Sequence, residues 1–104
     1  MIIGEVIGTV VSTQKDEKLR DLKLQVVREL DDLGRRTNKY VVAVDAVGAG
    51  IGDRVLFCTG SSARQTKITD GRPADTVIMA IIDSWDVDGR LVYSEQAPVS
   101  DPSP

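Results

Sequence analysis

The chain has 104 residues, enough for one domain that buries roughly two-thirds of the surface its unfolded form exposes. Its 41% hydrophobic and 28% charged residues place it among folded globular proteins, not disordered ones. A net charge of −3 and a scarcity of aromatics (Tyr40, Phe57, Trp85 and Tyr93) argue against a nucleic-acid surface, and the lack of histidine removes the usual general base and imidazole metal ligand.

Residues 2–12, IIGEVIGTVVS, are rich in Ile, Val and Thr, with Gly4 and Gly8 spaced as bends or close approaches of a barrel strand. The run has no basic start and contains Glu5, so it does not read as a signal peptide. QKDEK (14–18) reads as an exposed loop. Segment 19–33 fits two templates. Leu19, Leu22, Val26, Leu30 and Leu33 make a helical stripe, whereas Leu22, Leu24 and Val26 alternate with Lys23 and Gln25 as in a strand. DDLG (31–34) is a turn signal, and the β-branched run Tyr40–Val44 beyond it favours a strand–turn–strand unit.

Residues 44–66, VDAVGAGIGDRVLFCTGSSARQT, pose the sharpest question. A dinucleotide loop needs G-x-G-x-x-G ahead of a helix, but Gly48, Gly50 and Gly52 place the third glycine one residue early and lead into a strand at 53–59. A Walker loop needs Gly-Lys-Ser or Gly-Lys-Thr, which is missing. These glycines therefore read as a structural turn between strands. Cys58 has no partner for an internal disulfide, and beside Val55, Leu56 and Phe57 it reads as a small buried hydrophobe of a reducing compartment. Ser61 or Ser62 can cap one short helical turn, and DGRP (70–73) forms the next turn.

Residues 76–87, TVIMAIIDSWDV, give the strongest strand signal. Asp88-Gly89 is a hairpin turn, and Arg90–Ser94 forms the returning strand. The longest apolar stretch, Val77–Ile82, is far below the roughly 20 residues of a membrane span, so no membrane partner is expected. Asp83, Asp86 and Asp88 lack the Gly and Glu of a calcium loop, and no metal or cofactor is expected. If residues 76–87 form one strand, Ile78, Ala80 and Ile82 share one face, and Val77, Met79, Ile81, Trp85 and Val87 share the other. A small antiparallel barrel buries one face only, so the second calls for a neighbouring molecule. The expected domain is residues 1–94, with EQAPVSDPSP (95–104) as a Pro-rich tail. Short strands between turn signals make the fold mostly β, a small closed or nearly closed barrel.

VIGTVVST (6–13), VGAGIGDRVLFCTGSSAR (47–64) and DGRPADTVIMAIID (70–83) resemble, in the same order, the vertex proteins of bacterial microcompartments in the CcmL/EutN family, especially its carboxysome branch. The resemblance spans most of residues 1–94. It implies a five-stranded OB-like barrel with one short helix, forming a ring of five, and it favours strand over helix at 19–33. It also implies a structural, non-enzymatic shell protein that caps vertices in the carboxysome shell of the cytoplasm. Expected partners are the copies of a homopentamer, hexameric shell proteins and other carboxysome assembly proteins. Candidate interface or axial residues are Gly60, Ser61, Arg64, Arg72, Ile81, Asp83 and Trp85. The alternative is an OB-type module binding nucleic acid or oligosaccharide, which the barrel class alone permits.

Overall fold

The computed structural model describes residues 1–13, 16–19, 22–60 and 75–96. Among these run β1 (Ile2–Val10), β2 (Leu24–Leu30), β3 (Arg36–Asp45), β4 (Arg54–Thr59), β5 (Thr76–Ile81), β6 (Ser84–Val87) and β7 (Arg90–Ser94). β1 to β5 close into a barrel in the order β1-β2-β3-β5-β4, and β6 with β7 forms a separate hairpin. Within the barrel every neighbouring pair is antiparallel except β3–β5, which run parallel through Val44↔Val77 and Asp45↔Ile78.

The undecided segment 19–33 is a strand from Leu24, preceded by one 3-10 turn at Glu17–Leu19. Both neighbours of β2 are strands, so its backbone groups pair on either side, an outcome a helix at this position would forfeit. DDLG then turns the chain as expected. The Asp31 carboxylate accepts the backbone N–H groups of Leu33 (3.0 Å) and Arg35 (2.9 Å), and Gly34 takes φ +80°. The helical turn expected near Ser61 lies outside the described residues.

Two apolar clusters form on either side of the barrel wall. Val6, Val27, Ala43, Ala49, Val55, Phe57 and Ile78 fill the interior, with Ile2, Val41 and Ile81 packed against them. Leu22, Val44, Cys58 and Val77 form a second cluster outside, flanked by Leu24 and Met79. In β1, Gly4 is what lets Val27 and Phe57 meet over the strand. A Cβ there would lie 2.5 Å from Val27 Cγ1 and 2.9 Å from Phe57 Cε1.

The single strand expected over 76–87 is corrected to two. β5 ends at Ile81, where the Ile82 N–H turns to the Arg54 carbonyl at 2.7 Å, and β6 begins only at Ser84. The expected face assignment changes as well. Opposite β4, Leu56 pairs with Ala80 and Phe57 with Ile78, so Met79 is bulged out of the ladder. The bulge shifts the alternation by one, and Ile78 and Ile81 both pack on the interior cluster. Val77, expected on a face needing a neighbour, is fully buried by its own chain, beneath Leu22, Val44 and Cys58. β5 therefore does not by itself demand a second molecule.

Candidate subunit interface

One end of the barrel is closed by a polar plug that alternation alone would have turned outward. Gln25 shares the inner face of β2 with Val27 and is almost completely buried. Its amide N–H groups reach the Ala49 carbonyl (2.7 Å) and Asp45 Oδ2 (3.3 Å), while its Oε1 accepts the Thr9 hydroxyl at 3.0 Å. Asp45 Oδ1 in turn accepts the N–H groups of Val47 (3.0 Å) and Gly48 (2.9 Å). The glycine stretch thus folds over the barrel mouth and inserts Ala49 into the interior cluster. Gly48 and Gly52 stand at φ +80° and +94°, which glycine adopts without strain. The Gly52 N–H donates to the Val6 carbonyl at 2.8 Å and ties the loop to β1. The N–H groups of Val47, Gly48, Gly50 and Gly52 all have partners within the chain, which leaves little for a phosphate.

At the other end the β6–β7 hairpin leans on the turn between β2 and β3. The Trp85 indole N–H donates to the Asp32 carbonyl at 2.9 Å, and the ring lies over Gly34 and tilts against Tyr93, centroids 5.4 Å apart. Asp88 (φ +54°) and Gly89 (φ +77°) form the hairpin turn, and the Glu95 N–H donates to the Asp83 carbonyl at 2.9 Å. Trp85 therefore anchors a hairpin within its own chain. Asp83 is exposed, and Ile81 packs against the interior. Gly60, at φ +75°, donates to the Asp75 carbonyl at 2.8 Å. Ser61, Arg64 and Arg72 lie outside the described residues, as do residues 97–104 of the tail.

Between these ends the outer wall carries charge. Glu5 Oε1 accepts Arg36 Nε at 3.0 Å, and Glu5 Oε2 lies 3.8 Å from Arg54 Nη1. The hydrogen bond and charge of Glu5 push the Arg36 pKa above its ordinary value. The Arg54 guanidinium sits 5.0 Å from the Tyr93 ring centroid and that of Arg28 is 6.0 Å from Tyr40. Among the described residues the buried Arg28 Nε has no hydrogen-bond partner, and its Nη1 donates to the Thr37 carbonyl at 3.5 Å. On β3, Val41, Ala43 and Asp45 point inward, so Tyr40 and Val42 point out and stay exposed. The sequence reading passed over both. Their signal is the alternation inside Tyr40–Val44, a run that the sequence reading used only for its β-branched residues. Among the described residues no group of three or more Cys, Asp or Glu could hold a metal, and no helix is long and apolar enough to cross a membrane.

Comparison with known proteins places this architecture. Residues 1–83 match the family model described as ethanolamine utilisation protein EutN/carboxysome. The chain is 47% identical over 97 residues to the carboxysome shell vertex protein CcmL of Nostoc sp., covering 92% of this chain and 96% of the relative. It is 44% identical over 84 residues to the microcompartment shell vertex protein GrpN of Rhodospirillum rubrum, covering 81% and 94%. The solved structure of CcmL from Gloeobacter violaceus superposes with a TM-score of 0.89 at 43% identity, covering 93% of this chain and all of that one. The structure described as the GrpN pentameric microcompartment shell protein superposes at 0.77, with 41% identity, covering 84% of this chain and 99% of that one.

Proposed function

The chain belongs to the EutN/CcmL family, and from that premise we propose that it is a structural shell protein whose pentamers cap the vertices of a carboxysome. The observation that carries this reading is near-complete, two-way coverage by carboxysome vertex proteins at 40–47% identity, with the same barrel in the solved relatives. The role is geometric. A sheet tiled by hexagons is flat, and a closed polyhedron forms only where five-fold units replace six-fold ones. Rings arise from heterologous contacts, in which one patch meets a different patch on the next copy. In this reading the outer walls are the working surfaces, hexameric shell proteins surround the ring, and the chain carries out no catalysis. The closed shell supports carbon fixation by enclosing it.

Native mass spectrometry of the purified full chain tests the assembly. The expected species is five times the 11.3 kDa protomer. A protomer that remains alone at every workable concentration would overturn the vertex reading.

A further inference from the structure

Among the described residues the β6–β7 hairpin shares no ladder with the barrel, and neither apolar cluster includes one of its side chains. It is nevertheless fastened to the wall. At the β2–β3 turn, Trp85 holds the Asp32 carbonyl and, with Val92, borders Gly34. A second fastening runs through Arg54, the first residue of β4. Its carbonyl accepts the Ile82 N–H at 2.7 Å, just ahead of the hairpin, and its guanidinium sits 5.0 Å from the Tyr93 ring centroid.

The Arg54 guanidinium is itself steadied from the barrel side. Its Nη1 donates to the Gly52 carbonyl at 3.0 Å and lies 3.8 Å from Glu5 Oε2. Glu5 stands between Arg28 and Arg54 across its two ladders and is engaged more closely by Arg36, at 3.0 Å. Its carboxylate is thus shared among cations, and the Arg54 charge remains available to the face of Tyr93. Tyr93 in turn tilts against Trp85, so Arg54, Tyr93 and Trp85 form one row from β4 to the β2–β3 turn.

An element that adds nothing to either apolar cluster, yet is fastened at two places, does its work outside the barrel. Leu91, 64% exposed on β7, leaves apolar surface there. A ring of heterologous contacts closes only if every copy presents its two patches at the same rotation. The ladders of the barrel fix its wall, whereas the set of the hairpin depends on this row of side chains. Resting on the pentameric reading above, we propose that Arg54 is a positioning residue for ring closure: through Tyr93 it fixes the angle of the β6–β7 hairpin against the barrel, and that angle sets the rotation from one copy to the next. Arg54 acts within its own chain, and its bond to Gly52 makes the glycine loop part of the same joint.

The test compares full-length wild type with Arg54→Gln, Tyr93→Leu, Tyr93→Phe and the Arg54→Gln/Tyr93→Leu pair. Arg54→Gln keeps the carbonyl for Ile82 and removes the charge. Amide exchange followed by mass spectrometry, with rings intact, reads the hairpin against the barrel. Light scattering after size separation reads the protomer concentration at which half of the rings dissociate. Arg54→Gln and Tyr93→Leu should each speed exchange in β6 and β7 about tenfold with barrel amides unchanged, and raise the half-dissociation concentration about tenfold. The double variant should be within about threefold of either single, because both delete one joint. Tyr93→Phe keeps the ring and should match wild type within about threefold. Rings as tight as wild type in Arg54→Gln would overturn the proposal, as would a double variant in which the two effects multiply. Loosened rings with unchanged hairpin exchange would mean that Arg54 touches the next copy directly, which overturns it as well. Should Arg54→Gln fail to fold, Tyr93→Leu against Tyr93→Phe decides by the same two readouts. A wild type that never forms rings would instead refute the pentameric reading itself.

Discussion

Gly4→Ala isolates the tightest point of the barrel. The new methyl would lie 2.5 Å from Val27 Cγ1, 2.9 Å from Phe57 Cε1 and 3.1 Å from the Arg28 carbonyl oxygen. Val27 and Phe57 are themselves fully buried, and the third contact is backbone, so none can yield cheaply. Overpacking of this kind costs about 1–3 kcal/mol. Replacing glycine within a strand returns roughly 0.5–1 kcal/mol, and contacts as short as 2.5 Å with fully buried atoms put the overpacking at the upper end of its range, so the net expectation is a loss of about 2 kcal/mol. Gly50→Ala is the control. Its φ is ordinary, and the nearest atom to the added methyl, Asp53 Oδ2, is 3.9 Å away. It should be neutral, or stabilising by up to about 1 kcal/mol. Urea unfolding of both variants at one protomer concentration, needed because ring formation adds to apparent stability, should separate them clearly. Gly4→Ala as stable as wild type would refute the claim that the β1–β2–β4 wall is close-packed at this residue.

Two further predictions follow from the turn at residues 31–35. Trp85→Ala removes the bond to the Asp32 carbonyl and the contact with Gly34. It should cost roughly 2 kcal/mol for a half-buried aromatic and speed amide exchange in β6 and β7 while leaving the barrel protected; unchanged protection in the hairpin would contradict the anchoring role. For Asp31, the Arg35 backbone N–H holds the carboxyl below its ordinary value of 3.8, helped by the Arg35 side chain and the Leu33 N–H and opposed by partial desolvation. A lowered carboxyl pKa contributes stability above the unfolded value, and that contribution is lost as pH falls through the folded value. The stability advantage of wild type over Asp31→Asn should therefore shrink as pH drops from about 5 towards 2. An advantage that denaturant titration finds independent of pH would exclude this role.

The strands and their turns were legible because β-branched runs and turn residues act locally. Asp88-Gly89 forms the hairpin turn its residue types demand, and Asp31 organises DDLG through its own neighbours. What could not be read is what distant pairing decides. The bulge at Met79 depends on how β4 lies beside β5, and this displacement alone turns Ile81 inward and removes the basis for treating residues 76–87 as a two-faced strand. Gln25 looked like the polar half of an alternation because the Asp45 loop that satisfies it lies twenty residues further on. Leu22, the cover for Val77, was visible as an apolar residue but had no address. Of the site, Trp85 stood out on the apolar second face of residues 76–87, while its contact with the Asp32 carbonyl depends on a turn more than fifty residues away; Tyr40 and Val42 were hidden inside a run read only for its propensity.

The parallel join between β3 and β5 has a consequence for how the barrel breathes. Among the described residues it is the shortest ladder of the wall, the two pairs Val44↔Val77 and Asp45↔Ile78, while the antiparallel ladders beside it are longer. Of the residues it fastens, Val77 belongs to the outer apolar cluster and Ile78 to the inner one. Fewest backbone bonds hold the wall along this line, and separation there would wet residues of both clusters together.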